Sequence, residues 1–233
     1  MLLVTCEHGG NRIPGEYRRL FAGHAATLAS HRGFDPGALA LAKEVADALA
    51  APLVASTVSR LLVELNRSPH HRALFSERTR DLAPDEKQRI IANYYDPYRH
   101  EVERRASEAI AVGRRVFHLS CHSFTPMLHG ETRAADVGLL YDPRRAMERD
   151  LCVRWSALLR VRITPLRVRR NYPYRGHDDG LTTFLRRRFP AGAYAGVEVE
   201  VNQKHVTAGG RRWKTLRRHI VESVAELLPL ADA

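Results

Sequence analysis

Cysteine is scarce in this chain, with three in 233 residues: Cys6, Cys121 and Cys152, each in an apolar context and none closely paired. That spacing excludes a disulfide framework or a zinc ribbon and suits reduced thiols packed as small hydrophobes. Cys6 and Cys121 stand close to His8 and His122, so a Cys/His metal site is weighed beside that role. Lysine is nearly as rare, at Lys43, Lys87, Lys204 and Lys214 only, although the formal charge is +11. Arginines spread over many segments therefore carry the charge. Clusters such as RVRRNYPYR and LRRRFP allow phosphate contact. No helix-turn-helix, RNA-recognition or zinc-finger pattern accompanies them, so a solvated surface is favoured over a nucleic-acid partner. Long apolar runs are missing too, and the first residues lack the charged start, apolar stretch and cleavage site of a signal peptide. A cytoplasmic protein without a membrane partner is expected. There is no internal repeat, low-complexity tract or linker, and the length suits one domain, 1–233.

What the chain does have is a regular exchange of strand and helix patterns. The apolar run from Met1 to Val4 reads as a strand leading into TCEHGGNRIP. DPGALALAKEVADALAA predicts an amphipathic helix from about Pro36, with Asp35 a possible N-cap. PLVAS and SRLLVELN read as strands, and the helical pattern on both sides of Pro97 should be kinked or divided there. RVFHLSCHS, DVGLLYD, TPLRVRRN and YAGVEVEVNQ read as strands, whereas RRAMERDLCVRWSALLR, GLTTFLRRRFP and RRWKTLRRHIVESVAELLPL read as helices. Alternation of this kind implies an α/β fold whose largely parallel sheet is covered on both faces.

In such a sheet, chemistry collects at the C-terminal ends of the strands. His8 lies at the tip of the first strand and reads either as a turn residue or as a divalent-metal ligand, with Gly9 and Gly10 allowing close approach. In HLSCHS, His118 and His122 share one side of a strand. His118 lies deeper and suits a hydrogen-bonded core position; His122 is the better ligand candidate. Glu198 and Glu200 also share a face, and a carboxylate in a central strand needs a cation or a donor. An edge strand with a wet face is the alternative. Glu200, nearer the strand end, is better placed to activate water. Asn66 and Arg67 in ELNRS have the donors to hold a carboxylate.

The segments CEHGGNRIP, FDPG, SRLLVELNRS, CHSF, NYPYRG and VEVEVNQ, in this order from Val4 to Gln203, resemble the N-formylglutamate amidohydrolase family. The resemblance implies a three-layer α/β/α fold with a mixed, mostly parallel sheet, similar to zinc carboxypeptidases and aspartoacylase. It implies His8 and His122 as ligands of a divalent ion, zinc as in those relatives, and Glu200 as the general base. Asn11 stands where those relatives carry a glutamate ligand, and the aspartate of the amidohydrolases corresponds to Asp35. The resemblance further gives Asn66 and Arg67 to the substrate carboxylate, Arg60 to the developing oxyanion, and Arg175 to a second carboxylate. Glu64 occupies a position where aspartate is more usual. The expected substrate is a small N-acyl amino acid, N-formylglutamate first, cleaved to formate and glutamate. A peptidase or amidase acting on a cell-wall or peptide amide is the alternative, followed by a non-catalytic carboxylate- or nucleic-acid-binding module.

Overall fold

A computed structural model describes residues 1–163 and 165–232, the side chains of residues 229–232 apart. In chain order its elements are β1 (Leu2–Cys6), a 3-10 helix (Gly15–Phe21), α1 (Ala25–Leu28), α2 (Ala38–Ala48), β2 (Leu53–Ala55) and α3 (Pro84–Ile90). A π-helical turn (Ile91–Tyr95) leads into α4 (Asp96–Ala111), β3 (Val116–Phe124), β4 (Met127–Leu128), β5 (Glu131–Thr132) and β6 (Val137–Leu140). The rest comprises α5 (Ala146–Arg162), β7 (Val168–Arg170), α6 (Leu181–Arg188), β8 (Tyr194–Asn202), α7 (Gln203–Ala208) and α8 (Gly210–Asp232).

The six-stranded sheet has the order β2-β1-β3-β8-β6-β7. Every neighbouring pair is parallel except β6 and β8. Helices α2, α5 and α8 cover one face and α4 and α6 the other, which is the expected mixed, mostly parallel α/β/α arrangement. The long valine-rich β8 lies between β3 and β6, so the edge-strand alternative for VEVEVNQ is excluded. Its residues Ala195, Val197, Val199 and Val201 join Phe117, Leu119 and Cys121 of β3 in one apolar cluster with α2, α5 and α8.

Three local readings are corrected. SRLLVELN is not a strand: Arg60–Asn66 forms turns, and the only ladder contact nearby is a bridge between Arg12 and Val58. Leu61, Leu62, Val63 and Leu65 are nevertheless buried. Side chains satisfy the carbonyls a sheet would have satisfied: Thr79 Oγ1 donates to Leu62 O at 3.1 Å and Arg99 Nη1 to Leu65 O at 3.1 Å. Asp35 is not a side-chain cap either, because α2 starts at Ala38 after Gly37 at φ 84°, without a capping side chain. Pro97 does not divide the helix: Tyr95 and Asp96 keep right-handed helical dihedrals, and the irregularity there is the π turn that ends at Tyr95, two residues before the proline.

Candidate active site

Three parallel strands end at one place. His8 follows β1 by two residues, and His122 in β3 stands directly opposite Glu200 in β8. The HGG turn is shaped by close backbone approach: Gly9 N donates to Ser56 O at 2.9 Å, and a Cβ on Gly9 would sit 2.7 Å from that same oxygen. Asp35 is brought in by its own backbone, whose N–H donates to His8 O at 2.9 Å. Its carboxylate Oδ2 then lies 3.2 Å from His8 Nδ1 and 2.9 Å from His122 Nδ1, and Oδ1 meets Arg60 Nη1 at 3.2 Å.

The far sides of both imidazoles are occupied. His8 Nε2 contacts Glu64 Oε1, and His122 Nε2 lies 2.9 Å from Glu7 Oε2. Glu64 also accepts from Arg60 Nε at 2.7 Å and from Asn66 N at 3.0 Å. Glu64 thus ties one histidine to the segment carrying Asn66 and Arg67. The extra methylene relative to aspartate is accommodated in that reach.

One donor atom from each of His8, Asp35 and His122 lies within 4.8 Å of the others, and all three residues are buried. Nitrogen, nitrogen and carboxylate oxygen form a donor set suited to a divalent ion such as zinc. Electrostatics point the same way. Glu7, Asp35, Glu64 and Glu200 surround two imidazoles, with the Arg60 guanidinium ion-paired to Asp35 and Glu64. Burial alone would raise the Asp35 carboxyl, but His8, His122 and Arg60 hold it well below the usual carboxylate range. Burial opposes charge on His122 as well, yet hydrogen bonds to Asp35 and Glu7 lift it well above its ordinary value. Both histidines draw protons in this setting, and a cation between their Nδ1 atoms meets the same demand.

Glu200 behaves differently. It is 5% exposed, and its Oε2 has no hydrogen-bond partner among the described residues. Burial pushes its carboxyl up to about 8. Glu198, two residues earlier on the same face, is fixed by a 2.8 Å hydrogen bond from Thr182 Oγ1.

A cavity of about 180 Å³ is lined by His8, Asp35, His122 and Glu200, and by Arg60, Asn66, Arg67 and Arg175. All eight residues singled out from the sequence therefore meet in one cleft. The polar groups differ in freedom. Arg67 Nη1 donates to the Asp179 carbonyl, and Asn66 Oδ1 accepts from Leu181 N at 2.7 Å. Arg175 is exposed, and its side chain has no ion pair or hydrogen bond among the described residues. Its loop is anchored by Asn171 Oδ1, which accepts from Tyr141 N and Gly176 N at 3.0 Å each. A larger cleft of about 660 Å³ lies at the opposite strand ends, lined by Leu49, Pro52, Arg114 and others, and contains neither imidazole nor carboxylate.

Sequence reasoning passed over Glu7, Ser120, Tyr174 and Asp179. The available signal for Glu7 was an acid ending an otherwise apolar strand, beside a candidate ligand. His118 is confirmed in the core: Nε2 lies 2.8 Å from Thr5 Oγ1 and Nδ1 2.6 Å from Tyr194 OH, and burial lowers it to about 4. The cysteines are all buried and unpaired, and none joins the His8–His122 group.

The profile of the N-formylglutamate amidohydrolase family matches residues 1–207. Among solved structures, a gene product from Agrobacterium tumefaciens is similar at 28% identity and a TM-score of 0.81, covering 97% of this chain and 91% of that one. An N-formylglutamate amidohydrolase from Ralstonia eutropha superposes with a TM-score of 0.73 at 19% identity, over 98% of this chain and 93% of that one, which is a likeness of fold. Among curated proteins none matches the sequence.

Proposed function

Because the chain belongs to the N-formylglutamate amidohydrolase family, we propose that it is a metal-dependent hydrolase of N-acyl amino acids, with N-formylglutamate as the leading substrate and formate and glutamate as products. The observation that carries this reading is Glu200: a buried carboxylate with a bare oxygen, across the β3–β8 pairing from His122 and in the same cavity as the His8–Asp35–His122 donors. Unsatisfied buried acids at a strand end are characteristic of working groups. His8, Asp35 and His122 would hold the ion. A divalent cation there, zinc by the chemistry of its donors, would polarise the acyl carbonyl, acidify water and draw Glu200 toward its ionised form.

The remaining steps belong to the chain's own side chains. Glu200 takes a proton from the attacking water onto Oε2 and returns it to the leaving amine. Arg60 is held through Nε, Nη1 and Nη2 by Asp35 and Glu64, so its remaining N–H bonds are fixed in direction. They stabilise the oxygen of the tetrahedral intermediate without reorganisation. Arg67, with the Asn66 amide, receives the α-carboxylate, and Arg175 at the mouth receives the side-chain carboxylate. The small cavity supports a small-molecule substrate over a polymer, and the three buried thiols suit a reducing cytoplasm. Helices from both halves of the chain cover the same sheet face, which supports treating 1–233 as one domain.

The test is metal content together with formate release from N-formylglutamate and a panel of other N-acyl amino acids. Bound zinc and turnover of at least one N-formyl or N-acyl acid are expected. A protein that takes up no divalent ion and hydrolyses none of them overturns the reading.

A further inference from the structure

Resting on the metal-site reading above, we propose that Glu7 is a positioning residue: it fixes the proton of His122 on Nε2 and thereby leaves Nδ1 as the atom that faces the ion. Glu7 is fully buried, and two hydroxyls point at it: Tyr98 OH donates to Oε1 at 2.7 Å and Ser120 Oγ donates to Oε2 at 2.6 Å. The Ser120 proton is therefore spent on Glu7. His122 Nε2 lies 2.9 Å from Glu7 Oε2 and 2.9 Å from Ser120 Oγ, so both of its neighbours act as acceptors. A nitrogen between two acceptors carries the proton. Nδ1 faces Asp35 Oδ2, 2.9 Å away, so of the two ring nitrogens it is the one whose proton an entering cation would replace, while Nε2 keeps its own.

Glu7 does more than orient a ring. A full negative charge behind the imidazole raises the basicity of Nδ1, which strengthens a ligand bond. Ser120 alone offers orientation without charge. Glu64 contacts His8 Nε2, so each histidine has its own buried carboxylate. Glu64, unlike Glu7, also takes Arg60, so its charge is shared.

The experiment begins with the zinc-loaded wild-type protein labelled with nitrogen-15 in its histidines. Long-range proton–nitrogen spectra should show His122 protonated at Nε2 and coordinated through Nδ1. Chelator competition then compares zinc affinity in Glu7→Gln and Ser120→Ala, with circular dichroism and thermal melts confirming that each is folded. Glu7→Gln should weaken zinc binding by about 10-fold to 100-fold, the usual range for a lost carboxylate behind a metal-bound histidine. Ser120→Ala should lose distinctly less. Coordination of His122 through Nε2 overturns the inference even if Glu7→Gln does not fold. So does an unchanged zinc affinity in folded Glu7→Gln, or an equal loss in Ser120→Ala. Absence of zinc binding in the wild-type protein would instead remove the metal-site reading itself, and this inference with it.

Discussion

The two faces of the central sheet are both covered by helices, yet they are built from different chemistry. Toward α2, α5 and α8 the strands present Leu2, Val4 and Cys6, then Phe117, Leu119 and Cys121, then Val197, Val199 and Val201. Toward α4 and α6 the same strands alternate to Thr5 and Glu7, to His118, Ser120 and His122, and to Glu198 and Glu200, all buried. A sheet buried on both faces normally reads as continuous apolar runs. Here only one face does. Every polar group on the other costs desolvation unless it is matched, and most are matched: Thr5 with His118, His118 with Tyr194, Ser120 with Glu7, Glu198 with Thr182. The unmatched remainder, Glu200 Oε2, lies at the strand ends. The contrast teaches that the dry face holds the sheet together while the polar face spends part of its burial on a site.

That division is most open to attack at the ligands. Replacing both His8 and His122 with alanine should abolish stoichiometric metal uptake while circular dichroism still reports the folded sheet, and Asp35→Ala should weaken uptake less severely. Full metal occupancy in the double variant would detach the polar face from metal binding. A second large effect concerns the mouth of the cavity. Arg67→Ala should raise KM for every N-acyl amino acid, by about 10-fold or more for loss of a charge-assisted pair, whereas Arg175→Ala should penalise N-formylglutamate more than neutral analogues. Lysine at either position should restore only part of the loss, because a point charge lacks the planar fork. Equal losses for acidic and neutral substrates would remove Arg175 from side-chain selection.

The dry face supplies the converse experiment. Leu119 is fully buried among apolar neighbours, so Leu119→Ala should cost about 2–5 kcal/mol in denaturant unfolding. Metal affinity of the folded fraction should be unchanged, and a matching loss of affinity would blur the two faces. The smallest effect is a pH slope. Glu200 in the folded chain is raised to about 8 from an ordinary value of 4.5. The folded state therefore binds the extra proton between those values, and stability should fall as pH rises from about 4.5 to about 8. After treatment with a chelator, Glu200→Gln should lack this component of the slope. Identical pH profiles for variant and wild type would contradict a desolvated Glu200.

Much of this was legible in the residues because alternation is a strong signal. His122 and Glu200 stand out as polar residues in apolar runs, and the order of strands and helices follows from periodicity. The Arg60–Asn66 segment was misread for a physical reason: LLVEL carries the apolar content of a strand, but its carbonyls are taken by Thr79 and Arg99 from elsewhere in the chain. No local pattern announces such distant donors. Asp35 before Pro36 looks like a cap because caps and ligands draw on the same short carboxylate. Only the fold, by placing His122 eighty-seven residues away against it, separates the two. Glu7 was hidden by its neighbour: an acid one position before a histidine faces the other way along a strand, and its partner Tyr98 comes from α4.

Glu200 Oε2 lies buried on the polar face without a partner among the described residues, and the direct test of its proposed catalytic role is turnover per bound metal in Glu200→Gln beside Glu198→Gln. Glu200→Gln should keep its metal and lose about 10²-fold to 10⁴-fold in kcat with N-formylglutamate or whichever N-acyl amino acid the wild type prefers, the usual range for a positioned general base. Glu198→Gln should lose distinctly less, since Thr182 already occupies one of its oxygens. A metal-loaded Glu200→Gln with wild-type turnover would contradict the account, and an inactive Glu198→Gln beside it would transfer the role to the neighbouring carboxylate.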